Sequence, residues 1–238
     1  MSAVLSTFIC VSFAQCQGAE VLVAAASDLA GLKAELISEF QKESKHKIIF
    51  TFSASGQLAL QIEQGAPFDL FLSANEEFVE RLSKRHLIEP LSLAMFARGR
   101  LGLWAPGRAI SEFEDLTRPE YRHIAIANPV HAPYGMAAKK ALETAGVYKK
   151  ISSRLVYGEN VRQALQFGET GNADAVIVSW SLLKTKAGAV IVPLGLHDEI
   201  RQTLGVVKGS KNEAAAREFA RWLLGPKAKA VFLRAGFY

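Results

Sequence analysis

Four times in this chain a strand-like apolar run ends in a small polar or glycine-containing turn, and a helical pattern starts at once. The turns are Ala26-Ser27-Asp28, Ser53-Ala54-Ser55-Gly56, Ala132-Pro133-Tyr134-Gly135 and Gly158-Glu159-Asn160-Val161. Val21–Ala26 is continuously apolar, the pattern of a strand buried on both faces. Leu29, Leu32, Leu36 and Phe40 then recur at helical spacing and predict an amphipathic helix over 28–42. Ile48–Phe52 and Phe68–Leu72 read as further strands, with a short helix marked by Leu58 and Ile62 and ending at Gly65, and another helix over Asn75–Lys84. Such alternation argues for an α/β fold, a parallel sheet with helices on its faces.

The pattern then restarts. Leu101–Trp104 and Ile124–Ala127 read as strands, and a helix from Gly135 to Ala145 stops at Gly146, which suits a C′ glycine. Leu155–Tyr157 leads into a helix over 161–168, and Ala175–Val178, Val190–Val192 and Leu204–Val207 are further strands. The tail over 212–234 is helical with a break at Gly225-Pro226. No low-complexity linker separates the halves. They are expected to be two lobes joined by short crossings near Ala97–Arg100 and Leu194–Thr203. The first lobe would hold 19–98 and 204–238, and the second 99–203.

Composition narrows the function classes. Half of the 238 residues are apolar, enough for a sizeable core, and the net charge of +5 is scattered in pairs such as Lys139-Lys140 and Lys149-Lys150. No block of five or six like charges exists, which argues against nucleic-acid binding. Residues 1–18 carry no charged side chain, and Ala3–Ala14 has the length of a signal-peptide core, too short to span a bilayer. A signal peptide over 1–18, cleaved after Cys16 or Gly18, and a periplasmic location are expected, although no Lys or Arg precedes the apolar run. Bulky Gln15 disfavours lipid anchoring at Cys16. Both cysteines, Cys10 and Cys16, fall in this leader, so the mature chain has none and no metal-ligand spacing appears. The five histidines show none either; His131 is the one beside a turn of interest.

The turns carry the chemistry. First-turn N–H groups of a helix have no intrahelical partner, and such termini attract anions. Ser27 stands at an N-cap place with Ala30 three residues on, so no capping box forms. Ser55 precedes Gly56, which lets the backbone come close to a ligand. Pro133 cannot donate, but the amides of Tyr134 and Gly135 can, and Asn160 with Gln163 reads as a cap that leaves the Val161 amide. Each turn taken alone reads as a local cap, which contributes about 0.5–2 kcal/mol. Taken as two pairs, one in each half, they suggest a ligand cleft beyond the carboxyl ends of the strands. GxSxG, HExxH, Walker A and GxGxxG motifs are absent, and no base is nominated for Ser27 as a nucleophile, so binding is favoured over catalysis.

At these residues the chain resembles the periplasmic molybdate-binding proteins of ABC importers, over nearly all of the mature sequence. The matching segments are Val23–Ser27, Phe52–Ser55, Gly65–Ala74, Asn128–Gly135 and Glu159–Leu165, with Ala235-Gly236-Phe237 at the end. The resemblance implies a type II periplasmic binding fold, two α/β lobes with the ligand cleft between them. It implies that molybdate or tungstate is held as the oxyanion, with no direct bond from protein to metal and no cofactor. By position, Ser27 and Ser55 would donate from side chain and backbone, and Tyr134 and Val161 from backbone amides. Family members often place a tyrosine hydroxyl where this chain has Ser179, a fifth candidate contact; others use the residue after the first serine, here the Asp28 amide. The implied partner is an ABC permease at the membrane, the protein acting as a monomer. Sulfate or another small oxyanion on the same fold is the alternative that Ser179 favours; a regulator's sensor lobes and a secreted enzyme using Ser27 as nucleophile rank lower. Molybdate is a deprotonated dianion whose oxygens only accept, so a pocket of donors suits it, whereas hydrogen phosphate also needs an acceptor.

Overall fold

The computed structural model describes residues 18–238, so the expected leader, with Cys10 and Cys16, lies outside the described residues except for Gly18. The chain begins with β1 (Glu20–Ala26), which runs into a 3-10 segment (Ser27–Leu32) and then α1 (Lys33–Gln41). The expected helix over 28–42 is therefore wound tighter in its first part. That winding buries Ser27, Asp28 and Leu29 together. β2 (Lys47–Ser53), α2 (Ser55–Glu63), β3 (Leu70–Ser73), α3 (Glu76–Lys84) and β4 (Ala94–Gly99) follow.

Arg100 leads across to β5 (Leu101–Trp104) and the second half: β6 (Ile124–Ala127), α4 (Pro133–Thr144), α5 (Tyr148–Ile151), β7 (Leu155–Gly158), α6 (Val161–Glu169), β8 (Ala175–Ser179), α7 (Trp180–Leu183) and β9 (Val190–Ile191). β10 (Ile200–Val206) returns, followed by α8 (Glu213–Leu223) and α9 (Pro226–Arg234). Gly146 takes φ +73° just past α4, the left-handed turn that a glycine stop needs. Pro226 opens α9 at a first helical position, where its missing N–H costs nothing.

Two five-stranded sheets result, in the orders β2-β1-β3-β10-β4 and β7-β6-β8-β5-β9. Each has three parallel strands on one side. β10 joins the first sheet antiparallel to β3 and β4, and β5 joins the second antiparallel to β8 and β9. The chain passes between sheets twice, at β4–β5 and between β9 and β10. Ala94–Gly99 forms a paired strand, although the sequence marks only a crossing there. β10 starts at Ile200, ahead of the apolar run at 204, because Ile200–Gln202 pair with Ala97–Gly99. Arg201 and Gln202 hide that extension from an apolar-run reading.

The first sheet is covered on one face by α1, α8 and α9, where Phe40, Phe219 and Phe232 meet Val21, Val23 and Leu204. Its other face packs on α2 and α3 through Leu58, Ile62, Val79 and Leu82. The second sheet has its own core, built on Leu103, Ile124, Ile126, Leu142, Leu165 and Val176. Among the described residues no helix is long and apolar enough to cross a membrane. Phe219 is fully buried, with its ring 4.8 Å from that of Phe40. Phe219→Ala is expected to lower stability by about 3–5 kcal/mol, read as a fall in the midpoint of thermal or denaturant unfolding; an unchanged midpoint contradicts the placement of α8 in this core.

Candidate functional site

Both parallel strand sets aim their carboxyl ends at the same gap. The helices that start there close a small hollow of about 10 Å³, the scale of a single water-sized sphere. Ser27, Asp28 and Ser55 line it from the first half, and Pro133, Tyr134 and Val161 from the second. No Lys, Arg or His lines it among the described residues. Any guest in so small a space touches both walls at once. A wider cleft of about 680 Å³ shares Ser27 with it and is edged by Glu159, Asn160, Arg162 and Gln163.

The local structure leaves donors unspent at each of the four starts. Ala26, not Ser27, holds the N-cap position of the 3-10 segment, and no side chain caps it. Ser27 is thus a first-turn residue. Ala54 likewise precedes α2 without a side-chain cap, which makes Ser55 the first helical residue. The fully buried Ser55 Oγ accepts from the Ala74 amide at 3.0 Å, which orients the hydroxyl and leaves its proton to be donated. Pro133 opens α4 with no cap, so the next amide, that of Tyr134, has no carbonyl of its own helix to bond. At α6 the Asn160 side chain accepts from the Arg162 and Gln163 amides at 3.0 and 3.2 Å, which leaves out Val161. Gln163 Oε1 accepts from the Glu159 amide at 2.6 Å, one residue before the position a capping box would use.

Ser179 is buried at the end of β8 but is not among the residues lining the hollow. Its Oγ lies 2.6 Å from Ser181 Oγ, and Ser181 donates to the Asp28 carbonyl at 3.0 Å. A hydroxyl has one proton. With the Ser181 proton on the Asp28 carbonyl, Ser179 donates to Ser181 in this arrangement.

Behind the hollow lies a residue that no motif pointed to. Gln202, wholly buried in β10, donates from Nε2 to Asp28 Oδ2 at 2.7 Å and to the Tyr134 hydroxyl at 3.2 Å. It ties the first half (Asp28) to the second (Tyr134) through a strand that leads between the sheets. The only cue in the sequence is a polar residue next to an apolar strand.

Burial pushes the Asp28 carboxyl up from 3.8 to about 6, with hydrogen bonds from Tyr134 and Gln202 offsetting part of the rise. Its Oδ1 is buried with no hydrogen-bond partner among the described residues. The Tyr134 phenol is pushed well above its ordinary value by burial and by the Asp28 charge, so it stays neutral. The sign of the linkage follows from the raised carboxyl. Below pH 3.8 the group is protonated in both folded and unfolded chains. Between 3.8 and 6 only the unfolded chain releases its proton, so stability falls as pH rises. Above 6 the full penalty stands, on the order of 3 kcal/mol. Asp28→Asn is therefore expected to raise the anion-free melting temperature at pH 7.5 by roughly 4–10 °C, with the gain shrinking toward pH 4; a lower melting temperature at pH 7.5 contradicts the assignment.

Residues 21–238 match the family of bacterial extracellular solute-binding proteins. The molybdate-binding protein ModA of Azotobacter vinelandii is 35% identical over 228 residues, 93% of this chain and 90% of that protein. The molybdate-binding protein ModA of Escherichia coli (strain K12) is 29% identical over 92% of this chain and 88% of its own length. The solved structure of the Azotobacter vinelandii periplasmic molybdate-binding protein superposes with a TM-score of 0.87 at 31% identity, covering 92% of this chain and 98% of that one. The sulfate-binding protein SubI of Mycobacterium tuberculosis, at 18% identity and a TM-score of 0.75, shares the fold. The two mixed α/β sheets and this set of relatives agree: the chain belongs to the bacterial extracellular solute-binding proteins.

Proposed function

We propose that this protein is an extracytoplasmic solute-binding protein that captures molybdate, or tungstate, and delivers it to the permease of an ABC importer. In this reading Ser27 and Ser55 donate from hydroxyl and backbone, Tyr134 and Val161 donate from backbone amides, and no covalent chemistry occurs. The leader over 1–18 directs export, and the protein works as a monomer. One observation carries the reading: residues from both halves border one small hollow that, among the described residues, no cationic side chain lines. Hydrogen bonds to a charged partner contribute about 1.5–3 kcal/mol each. Several together can outweigh the desolvation of a dianion. A buried Lys or Arg in their place would stand unpaired whenever the site is empty, a costly state. Closure of the two halves on the anion would present a changed surface to the permease.

Sulfate has the same charge and shape but is smaller, so cavity width decides between the two. Hydrogen phosphate brings a proton that a pocket of donors does not accept, and this makes phosphate the sharper control. Isothermal titration against molybdate, tungstate, sulfate and phosphate tests the reading. Molybdate or tungstate is expected to bind tightest, and Ser55→Ala to weaken that binding by about 1–3 kcal/mol, roughly 5- to 150-fold. Tightest binding to phosphate, or none to any of the four, contradicts it.

A further inference from the structure

The two halves meet beside the hollow through backbone, not only through side chains. The Gly56 amide, in the first turn of α2, donates to the His131 carbonyl of the second half at 2.9 Å. A Cβ at Gly56 would stand 2.8 Å from that carbonyl oxygen and 3.0 Å from His131 Cα, well inside the roughly 3.5 Å of ordinary contact between heavy atoms. A side-chain clasp runs alongside. Ser53 Oγ donates to Gln57 Oε1 at 2.6 Å, Gln57 Nε2 donates to Glu159 Oε2 at 2.8 Å, and His131 Nε2 lies 3.0 Å from the Glu159 carbonyl.

The position of this contact gives it meaning. Gly56 directly follows Ser55, and His131 stands three residues before Tyr134. Ser55 and Tyr134 face each other across the hollow from opposite halves. A side-chain clasp stretches and yields, whereas a backbone amide seated on a backbone carbonyl cannot be pressed closer. We propose that the Gly56–His131 contact is a closure stop that fixes the width of the hollow, and thereby the size of tetrahedral oxyanion that both halves can grip together. The inference rests on the anion site proposed above. It makes Gly56 a specificity-determining residue that never touches the ligand. The glycine is required because the opposing backbone occupies the space of a Cβ, not because of its own backbone angles, which are helical.

The test compares Gly56→Ala and Gln57→Ala with the unaltered protein by titration with molybdate and sulfate, alongside melting without anion. Ala props the walls apart. Molybdate binding is expected to weaken at least tenfold, and the molybdate-to-sulfate affinity ratio is expected to change at least fivefold, because the two anions differ in size. Gln57→Ala loosens the clasp without changing the width, so both anions should weaken by one common factor and the ratio should hold. Ala is the better helix former, so the anion-free melting temperature of Gly56→Ala should stay level or rise. An unaltered protein that binds neither anion contradicts the site itself. One that binds molybdate, with the ratio preserved in Gly56→Ala or with Gln57→Ala shifting it equally, overturns the closure stop and leaves the site standing.

Discussion

The proposed anion site depends on first-turn backbone N–H groups that have no partner within their own helices, where strands give way to helices. A helix start is normally closed by a side-chain oxygen one residue ahead. Here Ala26 and Ala54 occupy two of the N-cap positions and can cap nothing, Ala132 and Pro133 do the same at the third, and Asn160 spends its oxygen on the second and third amides of α6. The serines that could have capped, Ser27 and Ser55, sit one position further on, where both line the hollow. Alanine at three of these caps leaves those helix starts open, and together with the start of α6 they wall one small hollow.

The neighbouring polar groups show what such a pocket costs. Asp28 is buried with a raised carboxyl, an Oδ1 that has no hydrogen-bond partner among the described residues, and a bond to Gln202. Removing a carboxylate from water without an opposing charge is unfavourable. A chain optimised for stability alone would not place one there. The same side chain, through Gln202, connects the 3-10 turn of one half with the Tyr134 hydroxyl of the other across β10. Stability given up at Asp28 thus coincides with a brace between the walls, a compensation expected near functional sites.

Much of this was legible in the sequence. β5 and β6 match their expected ranges, and Ser27, Ser55, Tyr134 and Val161 border one hollow. These features rest on continuous apolar runs and on turn residues with strong local preferences. What escaped has one physical cause: it depends on contacts far apart in the chain. The start of β10 is masked because Arg201 and Gln202 interrupt the apolar run, and pairing with β4 alone makes them a strand. The 3-10 winding at Ser27–Leu32 keeps the apolar spacing of an α-helix closely enough to pass for one. Ser179 lies 2.6 Å from Ser181, a partner that only the folded chain reveals. The place of Gly56 against His131 could not be read at all, since a glycine after a serine suits a ligand contact and an interlobe contact equally well.

The most direct examination of the central claim is a crystal structure of the mature protein grown with molybdate, read by anomalous scattering at the molybdenum edge. The account requires one strong peak between the two halves, its oxygens within hydrogen-bond distance of the Ser27 and Ser55 hydroxyls and the Tyr134 and Val161 amides. A peak held by surface lysines or arginines, or no peak in the hollow at saturating molybdate, contradicts it.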